Sequence, residues 1–180
     1  MFQTDVVEKC KGNDRKAQLQ LYRQYCDGMY VVAMRFLCNS DDAEDVLQDA
    51  FINAFQNIHQ FSGEVSFGAW LKRIVVNKCI DFLKSRKQRL LPLEEEYMQI
   101  VDDNDWSVGP EITINEVKQA IQKLPDKYRY VVLMYLLEGF DHKEISQVLG
   151  LTETASRTRL LRGKGYLKSV LTRKGYGTGS

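Results

Sequence analysis

Apolar residues recur three or four positions apart along almost the whole chain, and no stretch alternates convincingly for more than a few residues. That is the period of one helix face, so the pattern predicts an all-α fold. A long helix is expected from Asp14, whose carboxylate suits the first free amides, to about Cys38. Ser40, followed by Asp41 and Asp42, reads as the start of a second helix to about Ile58, because side-chain oxygens cap amides and carboxylates complement the positive helix end. "HQFSGEVS" at 59–66 has the Ser and Gly of a loop, and a third helix follows from about Ser66 to Lys87. Further on, helices are expected near Ile114 to Lys123, Asp126 to Glu138, Lys143 to Leu149 and Thr152 to about Leu171, with breaks at Pro125 and Gly150.

The same period sorts residues onto faces. On the 40–58 helix, Leu47, Phe51, Ala54, Phe55 and Ile58 form a core stripe, which leaves Asp41, Asp42, Glu44, Asp45, Gln48 and Asp49 to solvent. In "DHKEISQVLGLTETASRTRLLRGK" the spacing is that of a helix-turn-helix: Ile145, Val148 and Leu149 turn inward, Ser146 permits close crossing, Gly150 lies at the turn and Leu151 fills the corner. Thr152 caps the second helix, on which Ser156, Leu160, Gly163, Leu167 and Leu171 fall inward and Thr154, Arg157, Thr158, Leu161 and Arg162 fall outward. Gly163 and Gly165 each cost about 1 kcal/mol relative to Ala in a helix interior, which predicts fraying or bending beyond Arg162.

Charge changes this picture by showing that the helices differ in purpose. The formal net charge of +1 is a cancellation of blocks. Phe36 to Leu71 holds six acids and no Lys or Arg; Lys72 to Arg89 holds seven bases against Asp81; Leu90 to Glu111 holds seven acids and no base; Thr152 to Lys174 holds seven bases against Glu153. The acidic block with Pro92, Gly109 and Pro110 marks a self-repelling, extended linker. The expected organisation is therefore two small helical domains, 1–89 and 114–174, joined by an acidic linker at 90–113 and followed by a flexible tail at 175–180.

Cys10, Cys26, Cys38 and Cys79 include no C-x-x-C pair and no His at ligand spacing, so buried free thiols are expected, with no metal and no disulfide framework. No paired acid and base and no Gly-rich phosphate loop supports an enzyme or a cofactor. The first residues lack a signal pattern, and "YVVLMYLL" at 130–137 is too short to span a bilayer, so the expectation is a cytosolic protein without membrane insertion.

Two segments carry nucleic-acid chemistry. The outward guanidiniums of Arg157 and Arg162 suit major-groove edges, since the planar fork donates two bonds to guanine, while Lys164, Lys168, Arg173 and Lys174 suit phosphates. "FGAWLKRIVVNKCIDFLKSRKQR" interleaves Phe67, Trp70, Leu71, Ile74, Val75 and Ile80 with Lys72, Arg73, Lys78, Lys84, Arg86 and Lys87, a mixture suited to opened strands; Phe67 and Trp70 fit either a core or a stacking platform. A DNA-binding chain that concentrates acids on the 40–58 helix keeps that face off phosphate, so a basic protein partner is the natural expectation there.

Taken in order, these segments resemble bacterial sigma factors of the extracytoplasmic-function (ECF) group. "DAEDVLQDAFINAF" is similar to the region 2 helix that grips the RNA polymerase core, "FGAWLKRIVVNKCIDFLKSRKQR" to the segment that melts and reads the −10 element, and the stretch from Ala120 to Leu171 to region 4, which binds the −35 element. The resemblance implies core-binding roles for Asp42, Asp45, Gln48 and Asp49, with Phe51 as support from beneath. It implies −10 contacts by Phe61, Ser62 and Gly63, in a loop that pockets an extruded base, and by Arg73, Asn77, Lys84 and Arg86, with Asp81 as a structural partner. At the −35 element it implies Thr152, Thr154, Arg157, Thr158, Leu161, Arg162 and Lys164. The partners implied are polymerase core (the β′ clamp coiled coil and the β subunit), promoter DNA and an anti-sigma factor, with the linker threaded through polymerase. Family members often open the recognition helix with Gly-Thr and carry Ala at the slot of Gly163; here Thr154 and Ala155 fill the first two slots. The alternative is a stand-alone helix-turn-helix regulator, which needs neither the acidic helix nor the basic aromatic one.

Overall fold

The fold is described for residues 2–87 and 112–175 of a computed structural model. Within them every regular element is helical, and the chain divides into two units, Met1–Pro92 and Leu93–Ser180. The expected linker at 90–113, apart from its last two residues, and the tail beyond residue 175 lie outside the described residues.

In the first unit α1 (Phe2–Lys11), α2 (Arg15–Leu37), α3 (Ser40–Gln56) and α4 (Phe67–Lys87) are joined by short connections, with a 3₁₀ turn at Ile58–Gln60. α2, α3 and α4 pack on one another around Leu21, Phe36, Ile58, Phe67, Leu71 and Ile80, all of them buried, while α1 lies against α2 and the 3₁₀ turn. Asp14 caps α2 as expected, its carboxylate accepting from the amides of Lys16 and Ala17 at 2.8 and 3.3 Å. The cap of α3 is Asn39 and not Ser40: Asn39 holds an extended backbone and its Oδ1 accepts from the Asp42 amide at 3.0 Å, which places Ser40 inside the first turn. Ser66 Oγ accepts from the Ala69 amide and opens α4. Of the four thiols, Cys10 and Cys79 are buried, but Cys26 is half-buried and Cys38 exposed, since Cys38 ends α2 in a left-handed turn that points out of the bundle. Burial, followed by the charge of Asp14, pushes the Cys10 thiol up to about 11, so it stays protonated.

In the second unit α5 (Ile114–Gln122), α6 (Asp126–Val132), α7 (His142–Leu149) and α8 (Glu153–Gly175) enclose Leu124, Val131, Val132, Met134, Ile145, Leu160 and Leu167. Capping boxes open α5, between Thr113 and Glu116, and α7, between Asp141 and Glu144. The single helix expected over Asp126 to Glu138 is in fact α6 followed by a π turn at Leu133–Leu137, closed by Glu138 N–H donating to Leu133 at 3.1 Å. The widened turn exposes Tyr135, Leu136 and Leu137 while Leu133 and Met134 stay buried.

α8 corrects the expectation of fraying beyond Arg162, because it continues unbroken to Gly175. Gly163 is where it meets α6. A Cβ built there would stand 2.6 Å from Val132 Cγ2, so the missing side chain is what lets the two helices approach.

Candidate functional site

The helix-turn-helix is assembled by packing that leaves one face of α8 open. Gly150 ends α7 at a φ of 67°, and Thr152 Oγ1 accepts from the Ala155 amide at 3.1 Å to start α8. Ser156, Leu160, Gly163, Leu167 and Leu171 are buried along the inward stripe, with Ser156 Oγ sharing a 2.8 Å hydrogen bond with His142 Nδ1. His142 also stacks on Tyr135 at 4.7 Å, which ties α7 to the π turn. Burial, then the Arg157 guanidinium, holds His142 below its ordinary range against the opposing carboxylates of Glu153 and Asp141. On the other side of α8, Thr152, Thr154, Arg157, Thr158 and Arg162 are exposed and Leu161 and Lys164 half-buried, so the residues expected at a DNA edge share one surface. Arg157 is held by Glu153 at 3.1 Å within that surface. The side chains of Arg173 and Lys174 lie outside the described residues.

In the first unit α3 presents the acidic face. Asp41, Glu44, Asp45, Gln48 and Asp49 are exposed, and Phe51 sits beneath them, buried against Tyr22 at a ring distance of 4.8 Å. Asp42 departs from the expectation of a solvent-facing acid. It receives two hydrogen bonds from Arg86 of α4, at 2.8 and 3.2 Å, and only 15% of its side chain is exposed. Arg86 in turn lies over the Phe82 ring at 4.8 Å. Two residues expected at different partners are thus fastened to each other, and the pair ties the start of α3 to the end of α4. Double-mutant analysis of Asp42→Ala and Arg86→Ala by chemical unfolding is expected to give a coupling of about 0.5–1 kcal/mol, kept low because 60% of the Arg86 side chain faces water. Ile52, 55% exposed, is absent from the expected surface; it falls at i+7 from Asp45 and i+3 from Asp49, so the acidic face carries an apolar anchor. Its signal in the sequence is an isoleucine outside the core stripe.

α4 combines core and surface as its composition suggests. Phe67, Leu71, Val75 and Ile80 are buried and Trp70 is half-buried. Phe61, Phe67 and Trp70 form an aromatic cluster with ring distances of 5.5–5.7 Å, backed by Tyr25. The Phe61 end of this cluster underlies the exposed loop of Ser62 and Gly63, where Gly63 takes a φ of 83° that a side chain rarely adopts. Asn77, Asp81 and Lys84 are exposed farther along α4, and Arg73 is half-buried.

Residues 21–89 match the family model described as Sigma-70 region 2, and residues 114–167 match Sigma-70, region 4. The chain is 33% identical to the ECF RNA polymerase sigma factor SigW of Bacillus subtilis over 92% of this chain and 94% of that protein. The chain belongs to the ECF group of the sigma-70 family. It is also 31% identical to the ECF sigma factor SigM of Mycobacterium tuberculosis, over 88% of this chain and 79% of that one. Among solved structures, CnrH in complex with the cytosolic domain of CnrY shares the fold with a TM-score of 0.58 and 22% identity, covering 95% of this chain and 97% of that one. The sigma factor RpoE in complex with the anti-sigma factor NepR, from Bartonella quintana, does so with a TM-score of 0.57 and 18% identity, over 85% and 95%.

As an ECF sigma factor the chain is a transcription initiation factor that directs promoter-specific initiation. Its region 2 match begins at Leu21 within α2 and runs through α3 and α4, leaving out α1; its region 4 match covers α5 to the inward Leu167 of α8. No helix among the described residues is long and apolar enough to cross a membrane.

Proposed function

We propose that this sigma factor divides its work by charge: residues 1–89 dock on polymerase core and open the −10 element, and residues 114–174 hold the −35 element. The observation that carries the reading is the contrast inside the first unit, where exposed carboxylates on α3 stand beside a cation-rich α4. A stand-alone regulator has no use for that acidic face.

Asp45, Gln48 and Asp49, with Ile52 among them, form the surface offered to the β′ clamp coiled coil, where acids and an apolar anchor suit a basic, partly apolar polypeptide. Asp42 contributes by holding Arg86, and so by fixing α3 against α4, more than by direct contact. Phe61, Ser62 and Gly63 receive a base extruded from the −10 element, and Arg73, Asn77, Lys84 and, when it is released from Asp42, Arg86 hold the separated strand. In region 4, Arg157, Thr158, Leu161 and Arg162 read base edges, with Thr152, Thr154 and Lys164 positioning the backbone. The linker at 90–113 carries its acids into polymerase as a mimic of nucleic acid, toward contacts with the β subunit. The chain acts in the cytoplasm, without catalytic activity, metal or cofactor of its own. An anti-sigma polypeptide is a further partner, as in the structural relatives with NepR and the cytosolic domain of CnrY.

Mixing the chain with polymerase core and a promoter library, then sequencing transcript 5′ ends, is expected to return starts that share −10 and −35 motifs. Tight duplex binding by the free chain with no initiation on any template would favour the regulator instead. Arg162→Ala is expected to weaken discrimination at one −35 base pair by about 1–3 kcal/mol in competition binding. A loss equal on all sequences would mark Arg162 as a phosphate contact.

A further inference from the structure

A groove of about 410 Å³ lies between α1 and the loop that follows the 3₁₀ turn. Residues 61–67 form one wall; the other is α1, which supplies Val7, Glu8 and Lys11. The volume is that of a small-ligand site and admits a nucleobase. Its chemistry is unusual for a surface that meets DNA, because Glu8 and Glu64 line it alongside Lys11. A carboxylate repels phosphate, so it fits at such a site only where a base edge arrives instead of backbone. The edge it suits is an exocyclic amine, since a carboxylate accepts and cannot donate. A base turned out of the stack presents its Watson–Crick edge, where adenine, cytosine and guanine each carry an exocyclic amine and thymine carries only oxo groups beside its ring N–H. Lys11 Nζ lies 2.9 Å from Glu8 Oε1, which keeps a cation beside the carboxylate for the nucleotide's phosphate.

We propose that α1 completes the pocket for the extruded −10 base and makes it selective against thymine, with Glu8 accepting a hydrogen bond from the exocyclic amine of adenine, cytosine or guanine. The inference rests on the assignment of residues 61–63 to that base. Glu8 is 60% exposed on its side chain, so replacing it does not disturb the core.

The test is selection from a randomised single-stranded DNA pool by the full chain bound to polymerase core, comparing wild type with Glu8→Ala, Lys11→Ala, Glu64→Ala and Phe61→Ala. Wild type is expected to favour A, C and G over T at one position by about fivefold or more, and Glu8→Ala to bring that preference within about twofold. Lys11→Ala is expected to weaken all four bases by similar factors, and Phe61→Ala to weaken binding of whichever base occupies the position. An unchanged preference in Glu8→Ala, with Phe61→Ala impaired at that position, overturns the role of α1 and leaves the loop assignment standing. Loss of preference in Glu64→Ala alone also overturns it. If no variant alters any position, the loop assignment falls as well.

Discussion

Replacing Asp45 and Asp49 together by lysine is expected to abolish association with polymerase core while the chain stays folded. Both carboxylates are exposed, and both stand on α3 beyond its first turn, where they contribute little to the helix dipole. Their removal breaks no hydrogen bond among those that cap or tie α3, which run through Asn39 and through Asp42 to Arg86. A lysine in place of Asp45 would even lie four residues from Asp41, a favourable pairing where a repulsive one now stands. Against a basic partner the same change places like charges face to face, at several kcal/mol for the pair, so the dissociation constant is expected to rise by about a thousandfold or more. Asp42→Ala should cost far less affinity, because its carboxylate is already occupied within the fold. Surface plasmon resonance on core polymerase, with circular dichroism as the folding check, reads both. Equal losses at Asp42 and at the Asp45–Asp49 pair would place the docking surface nearer the start of α3.

Gly163→Val is expected to destabilise the helix-turn-helix unit by roughly 3 kcal/mol and to remove −35 binding at temperatures where that unit opens. The first added carbon alone would stand 2.6 Å from Val132 Cγ2 and 3.5 Å from Tyr128 Cβ. Val132 is short, branched and fully buried, so it has no free rotamer to retreat into. Helix propensity works in the opposite direction by less than about 1 kcal/mol, since Val is itself a poorer helix former than Ala, so overpacking wins. Gly165→Ala is the matched control: nothing lies within 4 Å of its added carbon, and a gain of up to about 1 kcal/mol is expected. Hydrogen exchange of the α6 and α8 amides in the full chain measures both changes. Val132→Ala in a Gly163→Ala background should recover part of the loss, and its failure to do so would mean the contact is not the cause.

The sequence reads most clearly where one face of a long helix is buried. The inward stripe of α8 is legible because Ser156, Leu160, Gly163, Leu167 and Leu171 repeat at helical spacing over four turns, and each of them is buried. α1 escapes such a reading because ten residues with Val7 and Cys10 as its buried anchors give too short a periodic signal. The cap of α3 slips by one because Asn39 and Ser40 are both good caps, and only the extended backbone of Asn39 separates them. Composition gives no hint of the π turn at Leu133–Leu137, since "YVVLMYLL" is apolar on every side and fixes no register. Asp42 and Arg86 lie 44 positions apart, so their pairing is invisible to a reading of charge along the chain. Gly163 reads as a helix cost, which is correct as propensity, but the partner that offsets it, Val132, belongs to another element.

Photocrosslinking from single positions in an assembled initiation complex bears most directly on the division of surfaces. A crosslinker at Gln48, between Asp45 and Asp49, is predicted to capture a polymerase subunit and no DNA, whereas one at Leu161 is predicted to capture duplex at the −35 position. Capture of DNA from Gln48, or of polymerase alone from Leu161, would contradict the account.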